Sequence, residues 1–402
     1  MRMRVGRNTV TSHQYGAAGW QNYEWHILPR GDRIIEANGS AVLRVCRELI
    51  KASHSCGNQA ELIADRNLKH DGYGCEGKIE YRKFRDSKLG SILGVILIFL
   101  RLRGYRDGFK LKLTSPGKLP SRVYVHNRPW VGRELRRTLP DSQLILYLHN
   151  VTMAGTPSYV IRSMLAQYDS VVCVSDYLRS ELIKRSNASE TDQQRIFTVR
   201  NSVDAALYDL EPNVIRDILY VGRVIPQKGL HVLLQALAAD ELSETKLLVV
   251  GGSSFLSHTA SEYELACRTY ADRHGLQVEF VGPMPPASIP SVMASCRIVA
   301  IPSSWDDPCP LVVLEAMASP AAVLATKSGG IPELGDVTQG LLIVEKNSPA
   351  HLREAIRELL QNDCAWRAPG RLGQLAVRRR TWIDAYRELN YRLAPATDSA
   401  EG

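Results

Sequence analysis

Arg223 and Lys228 stand five residues apart in Ile218-Leu-Tyr-Val-Gly-Arg-Val-Ile-Pro-Gln-Lys-Gly-Leu230. The apolar run reads as a strand that stops at Gly222, and the segment from Lys228 opens a helix. A planar guanidinium and a point-charge ammonium beside a helix start suit a diphosphate. Gly222 permits close backbone approach, and Gly229 eases the turn into the helix. An ordinary solvated loop with two surface cations is the plain alternative.

Two acids follow in Ala300-Ile-Pro-Ser-Ser-Trp-Asp-Asp-Pro-Cys-Pro-Leu-Val-Val-Leu-Glu-Ala-Met-Ala-Ser319. Here a strand ends at Ile301, a loop carries Asp306 and Asp307, and Pro310 suits the first turn of a helix that brings in Glu315. Asp307 in the loop and Glu315 on the helix can address two ends of one polar ligand. The backbone N–H groups between them, around Pro310 and Leu311, can take phosphate. The plain alternative makes Asp307 a helix cap and Glu315 a helix-face acid. A third loop, Ala325-Thr-Lys-Ser-Gly-Gly-Ile-Pro-Glu333, ends another strand on a glycine pair.

These loops need a scaffold that delivers them to one edge. Strands are predicted at Trp25–Leu28, Arg122–His126, Leu144–His149, Ser170–Ser175, Arg195–Val199, Asp217–Val221, Lys246–Val250, Glu279–Val281, Ile298–Ile301, Ala322–Ala325 and Leu341–Val344. Their continuous β-branched runs indicate parallel sheets covered on both faces. Amphipathic helices alternate with them, at Ser40–Ala52, Val131–Thr138, Asp176–Arg185, Lys228–Ala239, Ser261–His274, Pro310–Ala318 and Ala350–Leu360. The alternation predicts an α/β protein with doubly wound sheets.

The chain has 402 residues, enough for two domains at about 150 residues each. Lys and Arg outnumber Asp and Glu by 32 to 19 in residues 1–205 and fall short by 18 to 23 in 206–402. That reversal and the polar segment Asn201–Val214 place the boundary. The expected division is 1–205, then 206–380, then a final helical piece at 381–395. Two such domains in series put a cleft between the carboxyl ends of their sheets, where open α/β sheets bind ligands.

Eight dispersed cysteines form no Cys-x-x-Cys pair, which argues against structural zinc and for a reducing cytoplasm. The basic N-terminus lacks the apolar stretch of a signal peptide. The longest apolar run, Leu89–Leu100, is 12 residues long, against about 20 for a spanning helix. With Arg101, Arg103, Arg106, Lys110 and Lys112 it reads as a buried helix or as a helix on an anionic membrane surface, through residues 89–112. No nucleic-acid-binding motif appears, so the positive charge is not assigned to DNA or RNA.

In order and interval, the three loops resemble the C-terminal domain of retaining glycosyltransferases of family four, which have the GT-B fold. That fold is two Rossmann-like doubly wound parallel-sheet domains facing across a cleft. The resemblance covers roughly Ile218 to Val344 and includes Gly251-Gly-Ser-Ser and Glu279-Phe-Val-Gly-Pro-Met-Pro. The stretch from Pro308 to Ala318 looks like the subset that builds bacterial surface polysaccharides.

The resemblance implies a hexosyltransferase that moves a sugar from a UDP- or GDP-linked donor to a glycan or lipid-linked acceptor, with retention. Arg223 and Lys228 would hold the donor diphosphate in place of a metal, so no cofactor or metal is expected. Glu315 would accept from the ribose hydroxyls, and Asp307 would meet hydroxyls of the transferred sugar. The backbone at Gly282 and Pro283 would line the base. In the first half, His149 would contact the donor sugar and Gly39 would belong to the loop under its phosphates. Arg128 could meet an anionic acceptor or be structural. Residues Arg378–Arg387 resemble the family's final helix, which crosses back onto the first domain. The sequence departs from the family at Asp307, where Glu is usual, at Pro320, where Gly is common, and at Ser202 in Asn201-Ser-Val-Asp204.

The implied setting is the cytoplasm or the inner face of the plasma membrane. The alternatives are a non-catalytic or phosphorylase-like protein of the same fold, or a basic nucleic-acid-binding protein.

Overall fold

The computed structural model describes residues 22–29, 40–63, 78–81, 109–112, 119–253 and 259–394. Gly39 and the apolar run Leu89–Leu100 lie outside the described residues.

The first sheet is built from β1 (Tyr23–Ile27), β2 (Gln59–Ile63), β5 (Arg122–His126), β6 (Gln143–Leu148), β7 (Ser170–Cys173) and β8 (Ile196–Thr198), in the order β2-β1-β5-β6-β7-β8. Every pairing in it is parallel. The helices that flank it are α1 (Ala41–Ser55), α2 (Gly132–Thr138), α3 (Ser158–Leu165), α4 (Asp176–Ser186) and the short α5 (Glu190–Gln194). A separate antiparallel pair joins β3 (Lys78–Tyr81) to β4 (Phe109–Lys112).

The second sheet contains β9 (Arg216–Val221), β10 (Leu247–Val250), β11 (Val278–Gly282), β12 (Cys296–Ile301), β13 (Ala322–Thr326) and β14 (Leu341–Val344). Its order is β11-β10-β9-β12-β13-β14, again all parallel. Its helices are α6 (Leu230–Leu237), α7 (Glu262–Arg273), α8 (Ile289–Ala294), α9 (Leu311–Ala318), α10 (Pro349–Leu360) and α11 (Asp363–Val377).

Both sheets are doubly wound and the fold is GT-B. The strand direction of winding reverses between β9 and β12 in the second sheet, and between β1 and β5 in the first. A crevice opens at such a switch point because the flanking connections leave on opposite faces. Most inner strands are apolar along their length, since helices cover both faces; β1, with buried Glu24 and His26, and the edge strands β2 and β11 are the exceptions. Ile218, Leu219, Val249, Ile298, Val299, Val323 and Leu324 are all fully buried.

The last helix, α12 (Trp382–Leu393), does not extend the second domain. Its Trp382, Ala385, Tyr386, Leu389 and Leu393 join the core of the first sheet. A capping box between Thr381 and Asp384 starts it. The Tyr386 hydroxyl then donates to the buried carboxylate of Glu24 on β1 at 2.9 Å, and Ser53 donates to the same group at 2.8 Å. Arg380 ties the exit and return points together by donating to the Arg200 carbonyl at 3.0 Å.

Candidate active site

The loops after β9 and β12 flank the switch point of the second sheet, and they carry most of the predicted site. Gly222 follows β9 directly. Its carbonyl would lie 1.9 Å from a Cβ on Gly251, and Gly251 donates its N–H to the Gly282 carbonyl at 2.8 Å. Gly222, Gly251 and Gly282 therefore stand side by side at the carboxyl ends of β9, β10 and β11. Pro283 follows at the same edge, half-buried.

Arg223 is exposed. Its carbonyl accepts from the Tyr220 hydroxyl at 2.7 Å, which fixes its backbone. Lys228, at the end of the next turn, reaches across to Asp307, with Nζ 2.5 Å from Oδ2. The two predicted catalytic groups thus occupy one spot, each less than a quarter exposed. Gly229 adopts a left-handed φ of 72°, and a Cβ there would meet the Pro302 carbonyl at 1.8 Å. Only glycine lets the β9 loop press this closely on the β12 loop.

The third loop supports the second. A Cβ on Gly330 would lie 1.9 Å from the Pro308 carbonyl and 2.8 Å from the Cβ of Ser175 in the first domain. Gly330 also donates to the Asp307 carbonyl at 2.9 Å. Asp306 accepts from Lys346 at 2.6 Å and from the Gly329 N–H at 3.1 Å, and these contacts, Lys346 above all, lower its pKa against the opposing effect of burial.

Pro310 is the N-cap residue of α9 and Leu311 its first helical residue, so the proline sits one position before the expected first turn. Neither α6 nor α9 is capped by its own N-cap side chain, but at α6 the Tyr263 hydroxyl accepts from the His231 N–H at 3.1 Å. The start of α9, where Pro310 supplies no side-chain acceptor, is therefore the helix start suited to an anion. Leu311 and Cys309 join the hydrophobic cluster of the first domain, and Asn201 donates to the Cys309 carbonyl at 3.3 Å.

Glu315 is buried near this interface. Its carboxylate accepts from the guanidinium of Arg44 on α1, a residue the sequence reading did not single out. Burial alone would lower the Arg44 pKa, but Glu315 and the Tyr208 hydroxyl outweigh it and hold the value up. Nothing local marks Arg44 in the sequence, because its partner lies 271 residues away.

On the first domain, His149 follows β6. Its partners are His126, Asn127 and Tyr147, all of the first domain. It does not meet the second-domain groups directly. Arg128 is fully buried and is a structural residue, so it does not face an acceptor. The domains are joined beside these loops by Glu333, whose carboxylate accepts from the N–H groups of Asp176 and Tyr177 at 2.7 and 2.6 Å. Arg200 pairs with both Asp176 and Glu333.

Residues 211–376 match the family described as Glycosyl transferases group 1. The D-inositol 3-phosphate glycosyltransferase of Corynebacterium glutamicum is 26% identical over 69% of this chain and 74% of its own. Among solved structures, sucrose-phosphate synthase from Thermosynechococcus elongatus superposes with a TM-score of 0.70 at 19% identity, covering 93% of this chain and 99% of that one. HepE of Anabaena, solved with UDP-glucose, gives 0.63 at 17% identity over 93% and 99%. Residues 211–376 thus form a domain of the glycosyl transferases group 1 type, and the fold of the chain is GT-B. Among the described residues no helix is long and apolar enough to cross a membrane.

Proposed function

We propose that this protein transfers a hexose-type sugar from a UDP- or GDP-linked donor to a glycan or lipid-linked acceptor, with retention of configuration. The observation that carries this reading is the meeting of Lys228 and Asp307 beside the start of α9 at one switch point, with Arg223 on the same loop as Lys228. A departing nucleoside diphosphate develops charge at its leaving oxygen. Arg223, Lys228 once Asp307 has turned from it, and the N–H groups at the start of α9 would stabilise that charge. In this reading the two cations do the work of a divalent ion. Glu315 would take the ribose hydroxyls once Arg44 releases it, Asp307 would turn from Lys228 to the sugar, and His149 would touch the sugar from the opposite domain.

The place of the reaction is surface polysaccharide synthesis at the cytoplasmic face of the membrane. The motif from Pro308 to Ala318 and the basic, apolar stretch 89–112 support this. Binding to anionic vesicles at low salt tests the membrane contact, and indifference to them removes it.

A thermal-shift series with UDP, GDP and their sugars tests the donor. A ligand at 100 times its Kd stabilises by about 2.7 kcal/mol, an easily read shift. No shift with any nucleoside diphosphate would remove the assignment.

A further inference from the structure

Three histidines end three neighbouring strands of the first sheet. His26 lies on β1, His126 closes β5, and His149 follows β6. His26 Nδ1 is 3.1 Å from His126 Nε2, and His126 Nδ1 is 2.8 Å from His149 Nε2. Tyr124 stacks on His26 at 4.6 Å, and Tyr147 stacks between His126 at 5.2 Å and His149 at 4.9 Å. Packed this way, the rings cannot turn over.

A neutral imidazole carries one N–H and one bare nitrogen. Each of the two contacts needs one proton between its nitrogens, so the three tautomers are locked together. Either all three rings carry the proton on Nδ1, or all three carry it on Nε2. The two arrangements differ at their ends. His26 Nε2 is buried with no hydrogen-bond partner. In the Nε2 arrangement an N–H is stranded there, whereas the Nδ1 arrangement leaves only a lone pair. A buried N–H without an acceptor is the rarer defect. Cys46, with Sγ within 4.8 Å of a nitrogen on both His26 and His126, is a weak S–H donor beside them.

We propose that His26 and His126 are positioning residues that hold His149 in its Nδ1–H tautomer, so that His149 donates to a hydroxyl oxygen of the transferred sugar. The role at the sugar rests on the transferase reading above; the tautomer lock does not. Burial holds all three rings far below the ordinary histidine range, so they stay neutral at working pH and the lock persists.

Nitrogen-15 NMR of histidine-labelled protein separates the two tautomers by chemical shift. The wild-type spectrum should show His26, His126 and His149 protonated at Nδ1. His26→Asp, whose carboxylate only accepts, should draw the proton onto His126 Nε2, switch His149 to the Nε2–H tautomer, and lower kcat about tenfold with the Kd for UDP or GDP unchanged. His26→Asn, whose amide can donate to His126, should restore both the spectrum and kcat. An Nε2–H signal at His149 in the wild type overturns the proposal, as does a His149 signal that His26→Asp leaves unmoved. Stoichiometric zinc in the purified protein overturns it too, since a metal held by His26, Cys46 and His126 would take the nitrogens the lock requires. A wild-type enzyme inactive on every nucleotide sugar, with the expected spectra, overturns the transferase reading instead.

Discussion

Arg44 of the first domain and Glu315 of the second form an ion pair across the interface, with Glu315 buried and Arg44 partly exposed. Arg44 occupies the carboxylate expected to hold the donor's ribose, so it is an internal competitor for that position. Arg44→Ala should tighten binding of UDP or GDP by about three- to tenfold, in keeping with a partly exposed pair worth about 1 kcal/mol. Glu315→Ala should weaken the same binding. Calorimetric titration of both variants reads this directly, and weaker binding in Arg44→Ala would show that Arg44 helps to hold the nucleotide.

Lys228→Ala should reduce turnover by about 10²–10³-fold, the loss usual when one preorganised partner of a developing negative charge is removed. The fold should survive, because Lys228 contributes an ammonium at the rim and no core packing. Turnover near the wild-type rate, with a normal circular dichroism spectrum, would refute its role.

Glu333 connects the domains through the start of α4, accepting from Asp176 and Tyr177 and pairing with Arg200. A carboxylate at a helix start is worth about 1–2 kcal/mol. Glu333→Ala should therefore lower the Tm by about 2–4 °C. It should also widen the distribution of interdomain distances measured by small-angle scattering. An unchanged scattering profile would mean that the other contacts between the domains, among them Arg44 with Glu315 and the packing of Cys309 and Leu311, suffice to hold them together.

The buried histidines make stability pH-dependent. His26 and His149 are held down to about 3 by burial, and His126 is held well below its usual range. The native state keeps them neutral, while the unfolded chain protonates them below about pH 6.5. Their stabilising contribution is complete above that pH and is lost as pH falls towards 3. Three protons correspond to a slope of about 4 kcal/mol per pH unit at its steepest. Urea unfolding at pH 7, 6 and 5 should show this fall, and His126→Leu should reduce its slope by about a third. A midpoint constant across that range would contradict the burial of these rings.

Much of the architecture was readable in advance, for a physical reason. Parallel strands covered on both faces must be apolar along their length, and the eleven predicted runs all lie in the two sheets. The strand Gln59–Ile63 was missed because Gln and Glu interrupt its run at a sheet edge. The loops after β9 and β12 announced themselves through glycine, proline and charge at fixed intervals. Their mutual contact, Lys228 to Asp307, is a product of strand order, which no local pattern encodes. Arg44 was invisible for the same reason. His126 had a faint signal, since Val125-His-Asn and Leu148-His-Asn each place a histidine at a strand end; His26 lies within its strand, and only adjacency in the sheet makes the three one unit.

The return of α12 to the first sheet makes residues 201–380 an excursion out of one domain and back, and Arg380 bonded to the Arg200 carbonyl brings its two ends together. A single cut at the crossover would strip the first domain of the wall supplied by Trp382, Tyr386 and Leu389. Two cuts, bridged by a few residues, would instead lift out the donor half as a cassette. Exchange between related enzymes should therefore carry nucleotide preference across while leaving the acceptor half whole, which makes this junction the natural seam for building hybrids.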